Sequence, residues 1–193
     1  MPTGKGAQSM ERKYLSGNIR ERLQDLMKER KITQSELAAK IGKPVIFVNV
    51  SGSCVNLSFE NENFDAVIQC FYPGAEGGKA LADIIFGKMS PSGRLPVTFY
   101  KSVDDLPPFE DYSMDNRTYK FFKGDVVYPF GHGLTYSEIT EEWTDENTVV
   151  LENKGKYDVS YSVLKFEYIP HKNLCGFKKV YLNSGDKKTV KFE

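Results

Sequence analysis

The sequence predicts an α/β plus β protein: a partial α/β sandwich followed by an incomplete β-sandwich, with a short N-terminal helical hairpin ahead of both. Three observations carry this. Apolar residues recur at helical spacing between residues 18 and 42. From 43 to 105, β-branched runs alternate with one helical stretch. From 140 onward, short strand-like segments are separated by turn residues.

Residues 1–17 are rich in Gly, Lys and Ser and have no period, which predicts a flexible leader. Asn18 is a candidate N-cap for a helix carrying Ile19, Leu23, Leu26 and Met27 on one face. Thr33 and Glu36 form a capping-box pattern for a second helix, with Leu37 and Ile41 on one face and Gly42 at its end. Pro44 to Val50 has no helical period and reads as a buried strand of a mostly parallel sheet. A second strand is expected over Ala66–Cys70 and a turn at Pro73-Gly74. A helix over Ala80–Phe86 follows, with Leu81, Ile84 and Ile85 aligned and Gly87 closing it. Leu95–Phe99 reads as an extended edge segment because Pro96 cannot donate to a ladder.

Residues 106–139 are aromatic, acidic and aperiodic, an ordered connector held by its rings. Residues 140–193 read as β throughout. Strands are predicted at Thr148–Leu151, Tyr161–Leu164, Lys179–Leu182 and Thr189–Phe192. Turns fall at Asn153-Lys154-Gly155 and Asn183–Asp186.

The 193 residues hold 26 basic and 26 acidic side chains, so no global field favours nucleic acid or membrane. Residues 1–42 carry nine Lys/Arg and five Asp/Glu, a local balance of +4 against −4 for the rest, which suggests parts of different origin. Cys54, Cys70 and Cys175 are odd in number and far apart. A reducing, cytoplasmic setting fits them better than a disulfide framework. No apolar run approaches the roughly 18 residues of a membrane span.

The candidate chemical motifs each have a plainer account. Glu60, Glu62 and Asp65, and then Asp104, Asp105, Glu110, Asp111 and Asp115, read as solvated loop charges, because polar neighbours leave a carboxyl a poor acid at neutral pH. Gly74–Lys79 is too short for a phosphate loop, with Glu76 inside it and Ala80 where a hydroxyl is needed. Gly131-His132-Gly133 is too short for a dinucleotide fingerprint. His132 and His171 have no Cys or His at ligand spacing, so neither metal nor cofactor is expected. Ser51 and Ser53 lack the context of a nucleophile elbow. Phe109, Tyr112, Tyr119, Phe121, Phe122, Tyr128, Phe130 and Tyr136 have the rings to stack on sugars, yet they fit better as anchors for the connector.

Several blocks carry a resemblance. KPVIFVNVSGS (Lys43–Ser53), CFYPGAEGG, ALADIIFG and SPSGRLPVTF (within Cys70–Phe99), YPFGHGLTY (Tyr128–Tyr136), LENKG (Leu151–Gly155) and LCGFKKVYL (Leu174–Leu182) together resemble the carboxy-terminal region of family-three glycoside hydrolases. The resemblance implies a partial α/β sandwich at 43–105 and an incomplete fibronectin type III-like domain at 140–193. Tyr157–Tyr168 departs from the family's pattern, and the domain's last strands have no counterpart. It also implies a retaining β-glucosidase or β-xylosidase type of activity, with an Asp nucleophile on a barrel and a Glu proton donor upstream of Pro44. Retaining hydrolysis needs both groups about 5–5.5 Å apart, and a barrel needs about 250 residues. Neither role maps onto a residue here, so no catalytic residue is expected and the chain alone is expected to be inactive. A β-linked oligosaccharide or a barrel domain is the implied partner.

TQSELAAKIG (Thr33–Gly42) and the helix before it resemble a truncated repressor-type helix-turn-helix over 18–42. By that resemblance Gln34 matches a DNA-phosphate contact. The recognition helix is replaced by Lys43-Pro44 and a strand, so specific DNA binding is not expected. The alternative readings are a DNA-binding regulator acting through 18–42 and a carbohydrate-binding or interaction module.

Overall fold

The computed structural model describes residues 28–31, 36 and 42–193. The leader at 1–17, most of the helical segment at 18–42, and Gln34 lie outside the described residues. Within that segment Lys28, Glu29 and Glu36 are helical, and Lys31 turns at φ 53°. The chain separates into two compact units: Met1–Ile46 with Asn63–Ala66, and Phe47–Glu62 with Val67–Glu193.

Strand β1 (Ile46–Asn49) pairs with β2 (Ala66–Gln69) in a two-stranded sheet. The amides of Asp65 and Cys70 donate to the carbonyls of Val45 and Asn49, so the pair runs parallel as expected. The expected burial is not found. No residue of either strand is buried, and Ile46 and Val50 are exposed. Two parallel strands have too little width for covering layers to seal both faces.

A short helix, α1 (Ser58–Asn63), forms where a loop was expected. Asn56 Oδ1 accepts from the Ser58 amide at 2.9 Å and starts the turn. Helix α2 (Gly77–Ile85) begins three residues before the predicted Ala80. It ends on Gly87 at φ 72°, whose amide donates to Ile84.

The predicted strand at Leu95–Phe99 is displaced. Only Phe99–Tyr100 (β3) is a strand, antiparallel to β4 (Val126–Tyr128). Pro96 interrupts the segment before it, yet Leu95 still exchanges backbone bonds with Gly131 and His132 at 2.8 Å. The connector carries a 3-10 turn at Val103–Asp105, boxed by Ser102, and a short helix α3 (Thr118–Phe121).

The β region has five strands: β5 (Ile139–Asp145), β6 (Thr148–Asn153), β7 (Val159–Glu167), β8 (Asn173–Leu182) and β9 (Lys187–Lys191). They form a sheet in the order β5-β6-β9 and a second sheet of β7 and β8, with antiparallel pairing throughout. β6 alternates strictly, with Val149, Leu151 and Asn153 inward. Val149 and Leu151 meet Val159, Val163, Leu182, Val190 and Phe192 in one cluster. Of the nine buried apolar residues among those described, seven are in this cluster, and Leu57 and Phe99 are the other two. At about 1.5–3 kcal/mol per buried side chain, the β region therefore carries most of the hydrophobic stabilisation. β5 was not anticipated, because in ITEEWTD only Ile139 and Trp143 pack toward the core, and Glu141 between them breaks the apolar alternation.

Candidate functional site

The acidic loops hold no arrangement suited to proton donation. Glu60 and Glu62 lie on α1, and Asp65 accepts from the Val45 amide at 2.7 Å. Asp104 and Asp105 complete the Ser102 capping turn, and Asp115 lies 3.7 Å from Lys123. The Ser113 amide holds the Asp111 carboxyl below the usual range. Hydrogen bonds from Lys79, the Asn147 amide and the Asn183 amide do the same for Asp83, Asp145 and Asp186. That direction favours the carboxylate, whereas a glycosidic proton donor needs its pKa raised.

Ser51 donates to the carbonyl of Ser53 and accepts from Asn49, so it closes a turn at the end of β1. His132 stacks on Tyr128 with centroids 5.0 Å apart. Burial, and then the charge of Arg94, hold its pKa below the ordinary value. His171 meets the edge of Phe121 at 4.8 Å. No group of three metal-ligating side chains occurs among the described residues.

Six of the eight aromatic residues singled out in the connector are engaged. Tyr119 stacks on Phe130 at 4.2 Å and accepts from the Leu174 amide. Phe122 packs against Tyr100, and Phe121 against His171. Tyr128 donates to Asn61, and Tyr136 to the carbonyl of Ile84. Phe109 and Tyr112 remain 82% and 80% exposed.

The family-like blocks converge on a seam. Arg94, from SPSGRLP, donates through Nε to the carbonyl of Ser162 at 3.2 Å and through its guanidinium to the carbonyl of Gly133. Its guanidinium also lies 4.7 Å from the Tyr161 ring centroid. Ser162 Oγ returns a bond to the carbonyl of Ser92 at 3.1 Å. Gly133 has no room for a side chain: a Cβ there would stand 2.2 Å from the carbonyl oxygen of Gly93. Beside this seam lies an open groove of about 800 Å³. β7 forms one wall, and Glu141, Trp143 and Asp145 of β5 form the other. The Tyr161 hydroxyl donates across it to Glu141 at 2.8 Å. Sequence reading did not find this groove, because its walls come from segments far apart in the chain.

The model of the glycosyl hydrolase family 3 C-terminal domain matches residues 12–136, more than half of the chain. The chain belongs to this family. The match begins ahead of residue 18 and runs through 18–42, so the repressor resemblance of that segment, and Gln34 with it, gains no support.

Among relatives, a xylan 1,4-beta-xylosidase of Xylanibacter ruminicola is 40% identical over 77% of this family 3 chain. A periplasmic beta-glucosidase of Salmonella typhimurium is 31% identical over 78%. A solved GH3 exo-beta-xylosidase, in complex with a xylobiose aziridine activity-based probe, superposes with a TM-score of 0.69 at 27% identity over 82% of the chain. A beta-D-glucoside glucohydrolase from Trichoderma reesei superposes at 0.68, with 25% identity over 77%. The chain spans 19% and 24% of the two relatives and 27% of each solved structure.

Proposed function

We propose that this chain is a portion of a retaining β-xylosidase or β-glucosidase that cleaves no glycoside by itself. The observation that carries the reading is the family match combined with the share of its relatives that the chain spans, about a quarter. Relatives named as xylosidases and glucosidases support the substrate class, a β-linked oligosaccharide. A barrel domain supplied from outside these 193 residues is the partner that completes the activity.

In this reading residues 43–105 belong to a partial α/β sandwich, 106–139 to a connector, and 140–193 to an incomplete fibronectin type III-like domain. Five antiparallel strands in two sheets around one core support the last assignment. The three free cysteines support a reducing, cytoplasmic setting.

The test is an assay of the purified 193-residue chain with aryl β-xylosides and aryl β-glucosides. Release of the aryl alcohol is expected to match buffer. Turnover that disappears when a single carboxylate is replaced by its amide would overturn the reading.

A second reading rests on the exposure of Phe109 and Tyr112, a pair of rings open to a sugar face. It expects retardation of the chain in polysaccharide-containing gels that Phe109→Ala and Tyr112→Ala abolish. Equal mobility with and without polysaccharide removes it.

A further inference from the structure

Residues 106–117 form neither helix nor strand, and the consecutive Pro107 and Pro108 remove two backbone donors from them. Such a stretch cannot hold its shape by backbone pairing alone. One side chain holds it instead. Nη2 of Arg117 donates to the carbonyl of Pro108 at 2.7 Å and to that of Asp111 at 2.9 Å, with the carbonyl of Pro107 at 3.3 Å. A guanidinium suits this task, because it is planar, always charged and makes charge-assisted bonds to several acceptors at once. The Asp111 amide closes a turn on the Pro108 carbonyl at 3.0 Å, and the Ser113 amide closes another on the Asp111 carboxylate at 2.8 Å.

The backbone around Arg117 is strained in a way that serves this contact. Met114, Asn116 and Thr118 have φ of 65°, 51° and 57°. Asn tolerates the left-handed region, but a β-branched Thr rarely enters it. Backbone of this kind persists where the surroundings over-determine it, and it gathers at ligand clamps. Asn116 and Thr118 flank Arg117, and both are pinned. Asn116 donates to the Asp105 carbonyl at 3.0 Å and accepts from the Lys123 amide at 3.1 Å. The Thr118 amide donates to the Tyr100 hydroxyl at 3.0 Å. The chain reverses there, and the Arg117 side chain reaches back across ten residues to Pro107.

Phe109 lies between the two closest anchors, Pro108 and Asp111, and Tyr112 follows directly after the second. Both rings stay in solvent. Exposed Glu110 beside Phe109 offers acceptors for hydroxyl groups. Fixing a loop before its ligand arrives removes the ordering cost from binding. We propose that Arg117 is a positioning residue that pre-forms loop 107–112 and so presents Phe109 and Tyr112 to a β-linked oligosaccharide, without touching the sugar. This rests on the reading of those two rings as a sugar platform.

The test uses the full chain, with xylohexaose as the probe and calorimetry as the readout of binding. Chymotrypsin cleavage after Phe109 and Tyr112, followed by mass spectrometry, reads the loop without any sugar. The parent chain should bind xylohexaose and resist cleavage at both rings. Arg117→Ala should bind about tenfold or more weakly and be cut rapidly there, with an unchanged urea midpoint. Added guanidinium should restore both properties, and saturating xylohexaose should restore resistance, neither of which a merely structural role would produce. Arg117→Lys keeps the charge but cannot span the carbonyls, so it should fall between the two, and it carries the same comparison if Arg117→Ala does not fold. Equal cleavage of the parent and the Arg117 variants overturns the brace. Equal affinity for xylohexaose overturns the positioning role and leaves the ring reading standing. A resistant parent chain that binds no xylohexaose overturns the ring reading, and the proposal with it.

Discussion

Asn153 is 1% exposed and satisfies five groups at once. Its amide donates to the carbonyls of Tyr157, Leu182 and Asn183, and its Oδ1 accepts from Ser137 Oγ and the Gly155 amide. This explains the LENKG block chemically: Asn supplies donors and an acceptor in one plane, and Gly155 leaves space, since a Cβ there would stand 2.1 Å from Ser137 Oγ. Asn153→Ala strands several buried partners and should cost about 2–4 kcal/mol, read as a lower urea midpoint. Asn153→Asp should cost at least as much, because it sets a carboxylate against three carbonyls. His132 makes a second residue-level prediction. Unfolded, its imidazole titrates near 6.5; folded, burial and Arg94 hold it lower. Below about pH 6.5 the unfolded chain therefore binds the proton more readily than the folded one. Stability is complete above that pH and falls as pH drops toward the folded value. Urea midpoints measured between about pH 7.5 and 5.5 should decline, and His132→Gln should flatten that decline. The loss tied to the four depressed aspartates comes at more acid pH, below their ordinary 3.8.

Between elements, the seam and the β core make separate demands. Gly133→Ala drives a methyl into the backbone of Gly93 and should cost about 1–3 kcal/mol. Arg94 and Ser162 should then lose the protection their bonds confer, visible as faster exchange near the seam. Core alternation on β6 predicts a different pattern. Val149→Ala and Leu151→Ala should each cost about 2–5 kcal/mol, and the amides of β6 should exchange more slowly than those of β1 and β2, whose residues are nowhere buried. β6 and β9 were legible in the sequence because Thr148–Leu151 is a β-branched apolar run next to the Asn153–Gly155 turn and Val190 and Phe192 alternate with Thr189 and Lys191. β5 was not, since Glu141 stands between Ile139 and Trp143 on its core-facing side and hides the alternation. α1 was missed for a related reason: SFENEN buries nothing, and its start depends on one side-chain bond from Asn56.

Over the whole molecule the surface is unusually apolar in places. Phe86, Phe109, Tyr112, Ile169 and Phe177 are each more than 70% exposed. Each offers an exposed apolar face on which a hydrophobic probe can settle. The native chain should bind a dye such as anilinonaphthalene sulfonate, and Phe86→Ser with Phe109→Ser should reduce that signal while shifting stability by no more than about 0.5 kcal/mol. Unchanged fluorescence in the double variant would refute the assignment of dye binding to these rings. The sequence by itself determined the family, the α/β-then-β order, most strands and their turns, since these rest on local periodicity and on residues adjacent in the chain. Tertiary structure alone decided that β1 and β2 hold no buried residue, that Arg94 joins segments 68 residues apart at Ser162, and that Tyr161 meets Glu141 across a groove. Those outcomes depend on which faces and edges find a partner in space, and nothing in local spacing encodes that.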